Sequence, residues 1–281
     1  MTKKVFALDT KSGIQRDGTV LDKQFYNDGE WVRFQRGRPR KVGGYRQMTN
    51  QITGYSRGIY LDSENGVNRV FNGYSGGLQR FECDNNGIGS GITDYTFSSH
   101  FAASDKNLWQ FDGFFDATGG SNNLLLAHPG VNLSAIDNTI NTTVLAGDPA
   151  GTTMSPLQDT QGTAPTNDYI DVSGGVVALH PYVFVYGNNG LIKNCSAGNV
   201  YDWNSPDSNE VNVASQKIVK GLPVRGGSNA PSGLFWALDS LIRVSYTPTT
   251  ITTGSGSQQL YWRYDIIGSS SILSSQSVIE Y

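Results

Sequence analysis

The sequence predicts an all-β protein whose body is a β-propeller preceded by an extended N-terminal arm. Its 281 residues include 34 glycines, and hydrophobic residues make up only 37% of the chain. Fourteen tyrosines, twelve phenylalanines and five tryptophans suit half-buried strand faces, whereas strong helix formers are sparse. Many short strands separated by frequent turns are typical of sandwiches, barrels and propellers.

Residues 1–53 are predicted to form the arm, which is basic. Residues 1–46 contain eleven lysines and arginines against five acidic residues, which leaves ten basic and nineteen acidic residues in the remainder. Such asymmetry indicates an interaction segment. Its partner would be nucleic acid or an acidic protein surface, such as the body of a neighbouring copy. A solvated basic loop is the alternative.

The arm contains one predicted strand, over residues 31–34. A turn at residues 27–29 precedes this strand, and its side chains alternate between the two faces. Pro39 favours an extended backbone at the residue before it. We expect the cationic and aromatic residues of this segment to contact another subunit or an adaptor protein: Trp31, Arg33, Arg36, Arg38, Arg40 and Lys41.

Residues 54–281 are predicted to form propeller blades, because a unit of apolar strand, turn and second strand recurs. The copies begin near Gly58, Leu108, Val176 and Ile218, and a fifth begins near Ile272. Their irregular spacing brackets the roughly 40–50 residues of known blades. A pair of β-sandwiches and a β-helix are the alternatives.

Two polar stretches and the apolar ending complete the expected organisation. Residues 139–170 are predicted to be a polar insertion near the middle of the body, and residues 247–259 a surface loop, because large apolar side chains are scarce in both. The chain ends on a half-built apolar strand at residues 277–281. We therefore expect the chain to continue beyond residue 281, so that the propeller is incomplete here.

The sequence carries no recognisable catalytic or metal-binding motif, which predicts a protein that is not an enzyme and needs no cofactor. His100, His128 and His180 stand far apart, and the two cysteines allow one disulfide at most. No apolar stretch approaches the length needed to span a membrane. A propeller glycosidase needs only two carboxylates from different blades, and four aspartates follow apolar strands: Asp62, Asp112, Asp202 and Asp239.

Four segments carry a likeness to a known family: RPRKVGGY (38–45), GYSRGIY (54–60), NRVFNG (68–73) and YVFVYGNNGLI (182–192), which precedes YDW (201–203). These segments resemble the packaged-DNA stabilisation proteins that form the tail hub or nozzle of short-tailed phages. Residues 9–19 and 31–34 look like uncharacterised phage virion proteins of the same kind. These motifs are structural turns and strands, and they cover about half of the chain in patches.

The resemblance implies a structural virion protein of the phage tail that is assembled in the host cytoplasm. Such proteins form a ring, usually six-fold, that extends the DNA channel below the portal and its adaptor and helps to retain packaged DNA. The implied partners are other copies of the chain, the portal adaptor, other tail proteins and the passing genomic DNA. A receptor-binding, glycan-binding tail protein and a propeller glycoside hydrolase or lyase are the alternative functions.

Overall fold

A computed structural model describes most of the chain, in two compact units, Met1–Met48 and Thr49–Tyr281. The described residues are 11–16, 24–44, 51–64, 66–84, 91–95, 106–118, 122–130, 143–224, 230–253 and 256–279, with the single positions 47, 49, 86, 89, 97, 101 and 103. The predicted boundary between arm and body, after residue 53, lies close to the division between the two units.

In the described part of the first unit, β1 (Val32–Gln35) and β2 (Arg38–Lys41) form a two-stranded antiparallel sheet. An isolated parallel bridge joins Ile14 to Tyr26. The Tyr26 and Phe34 rings lie 5.5 Å apart and link this bridge to the hairpin. Apart from these contacts, most of the described side chains of the first unit are exposed to solvent.

The described residues of the second unit form four antiparallel sheets, and each has four strands that pair in the order in which they occur in the chain. The first sheet comprises β3 (Gly58–Glu64), β4 (Val67–Tyr74), β5 (Gly77–Cys83) and β6 (Thr93–Tyr95). The second comprises β7 (Gln110–Asp116), β8 (Asn122–His128), β9 (Leu145–Gly147) and β10 (Ser155–Pro156). The third comprises β11 (Gly175–Leu179), β12 (Tyr182–Tyr186), β13 (Leu191–Asn194) and β14 (Asn209–Asn212). The fourth comprises β15 (Ile218–Pro223), β16 (Ser232–Ala237), β17 (Leu241–Thr253) and β18 (Gly256–Gly268).

The all-β prediction is confirmed. The only helical turn among the described residues is a 3-10 turn at Asn188–Gly190. The four predicted copies near Gly58, Leu108, Val176 and Ile218 each correspond to one sheet. Alternating apolar residues and turn signals such as Asn188-Asn189-Gly190 thus indicated most of these strands correctly.

Three sequence expectations need correction. Part of the predicted insertion at 139–170 belongs to the second sheet, because β9 and β10 lie within it and Leu145 and Leu157 are buried. The predicted surface loop at 247–259 is the far end of the long β17–β18 hairpin, whose Thr-rich run favours extended backbone. The described residues 269–279 contain no strand, so a fifth copy does not begin near Ile272.

Neighbouring sheets of the second unit pack face to face through three hydrophobic clusters. The cluster between the first and second sheets includes Phe71 and Trp109. The cluster between the second and third includes Leu126 and Val185, and that between the third and fourth includes Phe184. Alternate side chains of β8 and β12 enter different clusters, as the two-residue period of a strand requires. The two middle sheets are therefore buried on both faces.

The first strands of neighbouring sheets contact one another, so that β3 lies against β7, β7 against β11, and β11 against β15. Gln110 at the start of β7 links the second sheet to the third, and its amide nitrogen also lies 3.5 Å from the Val219 carbonyl in the fourth. Its amide nitrogen donates to the Gly174 carbonyl at 2.9 Å, and its amide oxygen accepts from the Tyr186 hydroxyl at 2.7 Å. The four sheets of the second unit thus follow one another in chain order, and the first strand of each sheet lies beside the first strand of the next.

Gly73 allows the first sheet to approach the second closely. Trp109, which is 1% exposed, lies against this glycine, and its indole N–H donates to the Tyr74 carbonyl at 3.2 Å. A Cβ atom at position 73 would overlap the indole ring. The close contact between the first and second sheets therefore requires glycine at position 73.

We expect Gly73→Ala to lower the free energy of unfolding by about 1–3 kcal/mol, since Trp109 would have to move within a packed core. Urea-induced unfolding followed by tryptophan fluorescence measures this change. Gly91→Ala is the matched control, because a Cβ there meets nothing within 4 Å. Equal stability of the two variants would contradict the close packing described here.

Candidate interaction site

The candidate interaction site is the hairpin formed by β1 and β2. Arg36 and Gly37 connect the strands, with φ angles of 51° and 76°. Positive φ at both central residues is the conformation of a type I′ turn, which matches the right-handed twist of paired strands. The turn fixes a register in which Arg33 lies opposite Arg40 and Gln35 opposite Arg38.

This register places three guanidinium groups on one face of the hairpin. Side chains directly opposite each other, and those two residues apart, point to the same side of a strand pair. Arg33, Arg38 and Arg40 therefore share a face with Gln35, and all four are exposed. We call these four residues the arginine face. Like charges directly opposite each other destabilise a strand pair, so an anionic partner would favour this arrangement.

The opposite face of the hairpin holds it against the rest of the first unit. Phe34, the least exposed residue of β1, shares this face with Val32 and contacts the Tyr26 ring. Asp28 lies nearby in sequence and pairs with Arg16 at 2.9 Å. The Gly29 backbone N–H, and then Arg16, lower the pKa of Asp28. The arginine face therefore lies on the side of the hairpin opposite to the Phe34–Tyr26 contact.

Trp31 combines an unusual backbone with high exposure. Its φ angle is 56°, in the left-handed region that residues other than glycine rarely adopt. Its side chain is nevertheless 58% exposed, and its carbonyl accepts the Val42 N–H at 2.7 Å. Exposed tryptophans are enriched where proteins bind each other, so Trp31 is a suitable apolar anchor beside the arginine face.

The structure thus brings the six residues selected from the sequence together on one hairpin. Arg33, Arg38 and Arg40 lie on the arginine face, Arg36 lies in the turn, and Trp31 and Lys41 lie at the open end. The pairing of residues 38–41 with residues 32–35 was not expected from the sequence, and Gln35 was therefore not among the predicted site residues. The Arg36-Gly37 pair between two short extended runs was the available signal.

Each of the four aspartates considered for glycoside hydrolysis already accepts hydrogen bonds. Asp62 pairs with Arg69 at 3.0 Å, and Asp112 accepts the Ala178 backbone N–H at 2.7 Å. Asp202 accepts the Ser205 backbone N–H at 3.1 Å, and Asp239 accepts the Ser215 hydroxyl at 2.6 Å. These contacts give all four carboxylates a role in holding turns and strands.

His128 has a structural role at the end of β8. The ring is fully buried; its Nδ1 accepts the Gly130 N–H at 2.9 Å, and its Nε2–H therefore donates to the Val172 carbonyl at 2.8 Å. Burial lowers the pKa of His128 to about 4. His180 contacts the Phe114 ring, and His100 lies outside the described residues. The part of the chain that is described contains no cluster of three potential metal ligands.

Comparison of the chain with protein-family models, with curated proteins and with solved structures found no match. Among the residues described, no helix is long and apolar enough to cross a membrane.

Proposed function

We propose that this chain is a structural virion protein, a subunit of the tail hub or nozzle ring of a short-tailed phage. In this role it extends the DNA channel below the portal and its adaptor and helps to retain packaged DNA. The observation that carries the proposal is the arginine face, which presents clustered cations on a hairpin in a compact unit of its own.

The four sheets of the second unit are, in this proposal, consecutive propeller blades. Propeller blades are four-stranded sheets arranged radially around a channel, so that neighbouring blades pack face to face. Four consecutive four-stranded sheets, contacts between their first strands and one hydrophobic cluster at each junction support this interpretation.

Charge complementarity supports assembly with other copies of the chain. The arginine face belongs to a segment with excess positive charge, whereas residues 47–281 contain nineteen acidic and ten basic residues. Guanidinium groups bind carboxylates through paired hydrogen bonds. Contacts between the hairpin of one copy and the body of the next are heterologous, and such contacts close into a ring when the rotation between copies allows it.

An acidic body also suits a channel for DNA. Cationic side chains bind DNA phosphates and release counterions, which holds the DNA in place. A wall with excess negative charge would repel the phosphates instead and let the genome pass. The proposed ring therefore uses its cations to join subunits and its acidic body to form the conduit.

Native mass spectrometry of the purified chain tests this proposal. We expect a ring of six 30.5 kDa subunits at low ionic strength, and we expect it to dissociate as salt screens the contacts between subunits. Electron micrographs of the same sample should show closed rings. A chain that stays monomeric at every protein concentration would contradict the proposal, and a trimer that binds glycans would favour the receptor-binding alternative.

A further inference from the structure

A cavity of about 190 Å³ lies where the first strands of the second, third and fourth sheets begin. Gln110 opens β7, Gly174 directly precedes β11, and Lys217 directly precedes β15; all three line the cavity. Leu273, Ser274 and Ser275 line it as well, from the segment that follows β18. Residues that are distant in sequence therefore converge at this end of the strands.

The lining of this cavity is cationic and rich in hydrogen-bond donors. Lys106 and Lys217 contribute to it together with Asn107, and no carboxylate is among the described lining residues. The Lys217 ammonium group makes no ion pair or hydrogen bond with the described residues, and burial lowers its pKa to about 8. The positive charge of Lys217 is therefore partly desolvated and uncompensated.

Ser275 provides a second, independent indication of a ligand. Ser275 lines the cavity and is 8% exposed, and its hydroxyl has no hydrogen-bond partner among the described residues. Gln110, by contrast, already uses both its amide nitrogen and its amide oxygen. Polar side chains of largely buried residues normally have partners, so a ligand in the cavity could supply an acceptor that Lys217 and Ser275 share.

We propose that this cavity binds a phosphate group, held by the Lys217 ammonium, the Ser275 hydroxyl and the Asn107 amide. A phosphate offers several acceptor oxygens and a negative charge, which match the free donors and the uncompensated lysine. The group would come from a free phosphate or from a nucleic-acid backbone. The site does not depend on the proposed ring, because all of its residues lie in the second unit of one chain.

Binding should weaken at alkaline pH. Lys217 loses its positive charge as the pH rises through about 8, and a neutral amine attracts phosphate far less strongly. Of the other titratable groups nearby, Lys106 lines the cavity, and buried His128 is close enough for Lys217 to lower its pKa. Because that pKa is about 4, His128 stays neutral across the alkaline range and does not contribute to the change.

Isothermal titration calorimetry with inorganic phosphate at pH 7, against sodium chloride at equal ionic strength, tests the proposal. Lys217→Gln should weaken binding by about tenfold or more, because it removes a charge-assisted hydrogen bond. Ser275→Ala should weaken it several-fold. Lys220→Gln is the matched control, because Lys220 is also partly buried near the start of β15 but does not line the cavity.

A second titration with a short single-stranded oligonucleotide that lacks terminal phosphates distinguishes the two sources. If the oligonucleotide binds to the unmodified protein and Lys217→Gln abolishes this binding, the ligand is a backbone phosphate. If only inorganic phosphate binds, the ligand is the free ion. The proposal is overturned if neither probe binds, or if Lys217→Gln and Lys220→Gln bind phosphate equally well. Circular dichroism of both variants confirms that each is folded.

Discussion

The double substitution Arg33→Glu and Arg40→Glu is expected to abolish assembly of the proposed ring. The two residues lie opposite each other on the arginine face, and the change reverses the charge that this face presents to an acidic neighbour. Losing one partner of a hydrogen-bonded charge pair that is buried in an interface costs roughly 2–5 kcal/mol. Two such losses, with repulsion added, should weaken association on the order of 100-fold or more.

The fold of the hairpin should tolerate this double substitution. Two opposed carboxylates repel each other much as two opposed guanidinium groups do. The substitution therefore adds no repulsion between β1 and β2, and the register set by the Arg36-Gly37 turn should persist. Sedimentation velocity measures the association of both proteins. Arg243→Glu with Arg263→Glu, on exposed positions of β17 and β18, changes the net charge equally. If this control abolished assembly too, or if both variants assembled normally, the arginine face would not be the contact.

Acidification from pH 7 to pH 4 is expected to destabilise the second unit by about 3 kcal/mol through His128 alone. The folded protein lowers the pKa of His128 from 6.5 to about 4, chiefly by burial. Between these values the unfolded chain binds a proton that the folded chain does not. The contribution of His128 to stability is therefore complete above pH 6.5 and is lost as the pH falls towards 4.

The hydrogen bonds of His128 explain why it resists protonation. Its Nδ1 accepts the Gly130 N–H, and a proton on Nδ1 would set two donors against each other inside the core. His128→Gln should lower stability at pH 7 and remove this acid-dependent loss, whereas His180→Gln should retain it. Denaturant unfolding across the pH range measures both. An NMR titration in which His128 of the unmodified protein protonates near pH 6.5 would refute the expectation, whether or not His128→Gln folds.

Local patterns in the sequence predicted most strands of the second unit. Alternating or continuous apolar runs indicated β4, β8, β12 and β16, because their side chains enter the clusters between the sheets. Glycines and asparagines between these runs indicated the turns. Such signals are local, and an antiparallel sheet whose strands pair in chain order preserves them.

The remaining features depend on contacts that the sequence does not display. β9 and β10 are only three and two residues long, too short for a periodic pattern to stand out from the surrounding polar residues. The exposed end of the β17–β18 hairpin lacks the buried face that marks a strand. The cavity at Lys217 joins residues as far apart as 106 and 275, and only the folded chain brings these together.

The serial arrangement of the clusters has a consequence for how the second unit comes apart. Among the described residues, each middle sheet contributes to two clusters, whereas the first and fourth sheets contribute to one each. Stability in such an array resembles a sum of nearest-neighbour couplings. Partial unfolding should therefore begin at the first or the fourth sheet. Disruption of the cluster between the second and third sheets should require both of these sheets to unfold together.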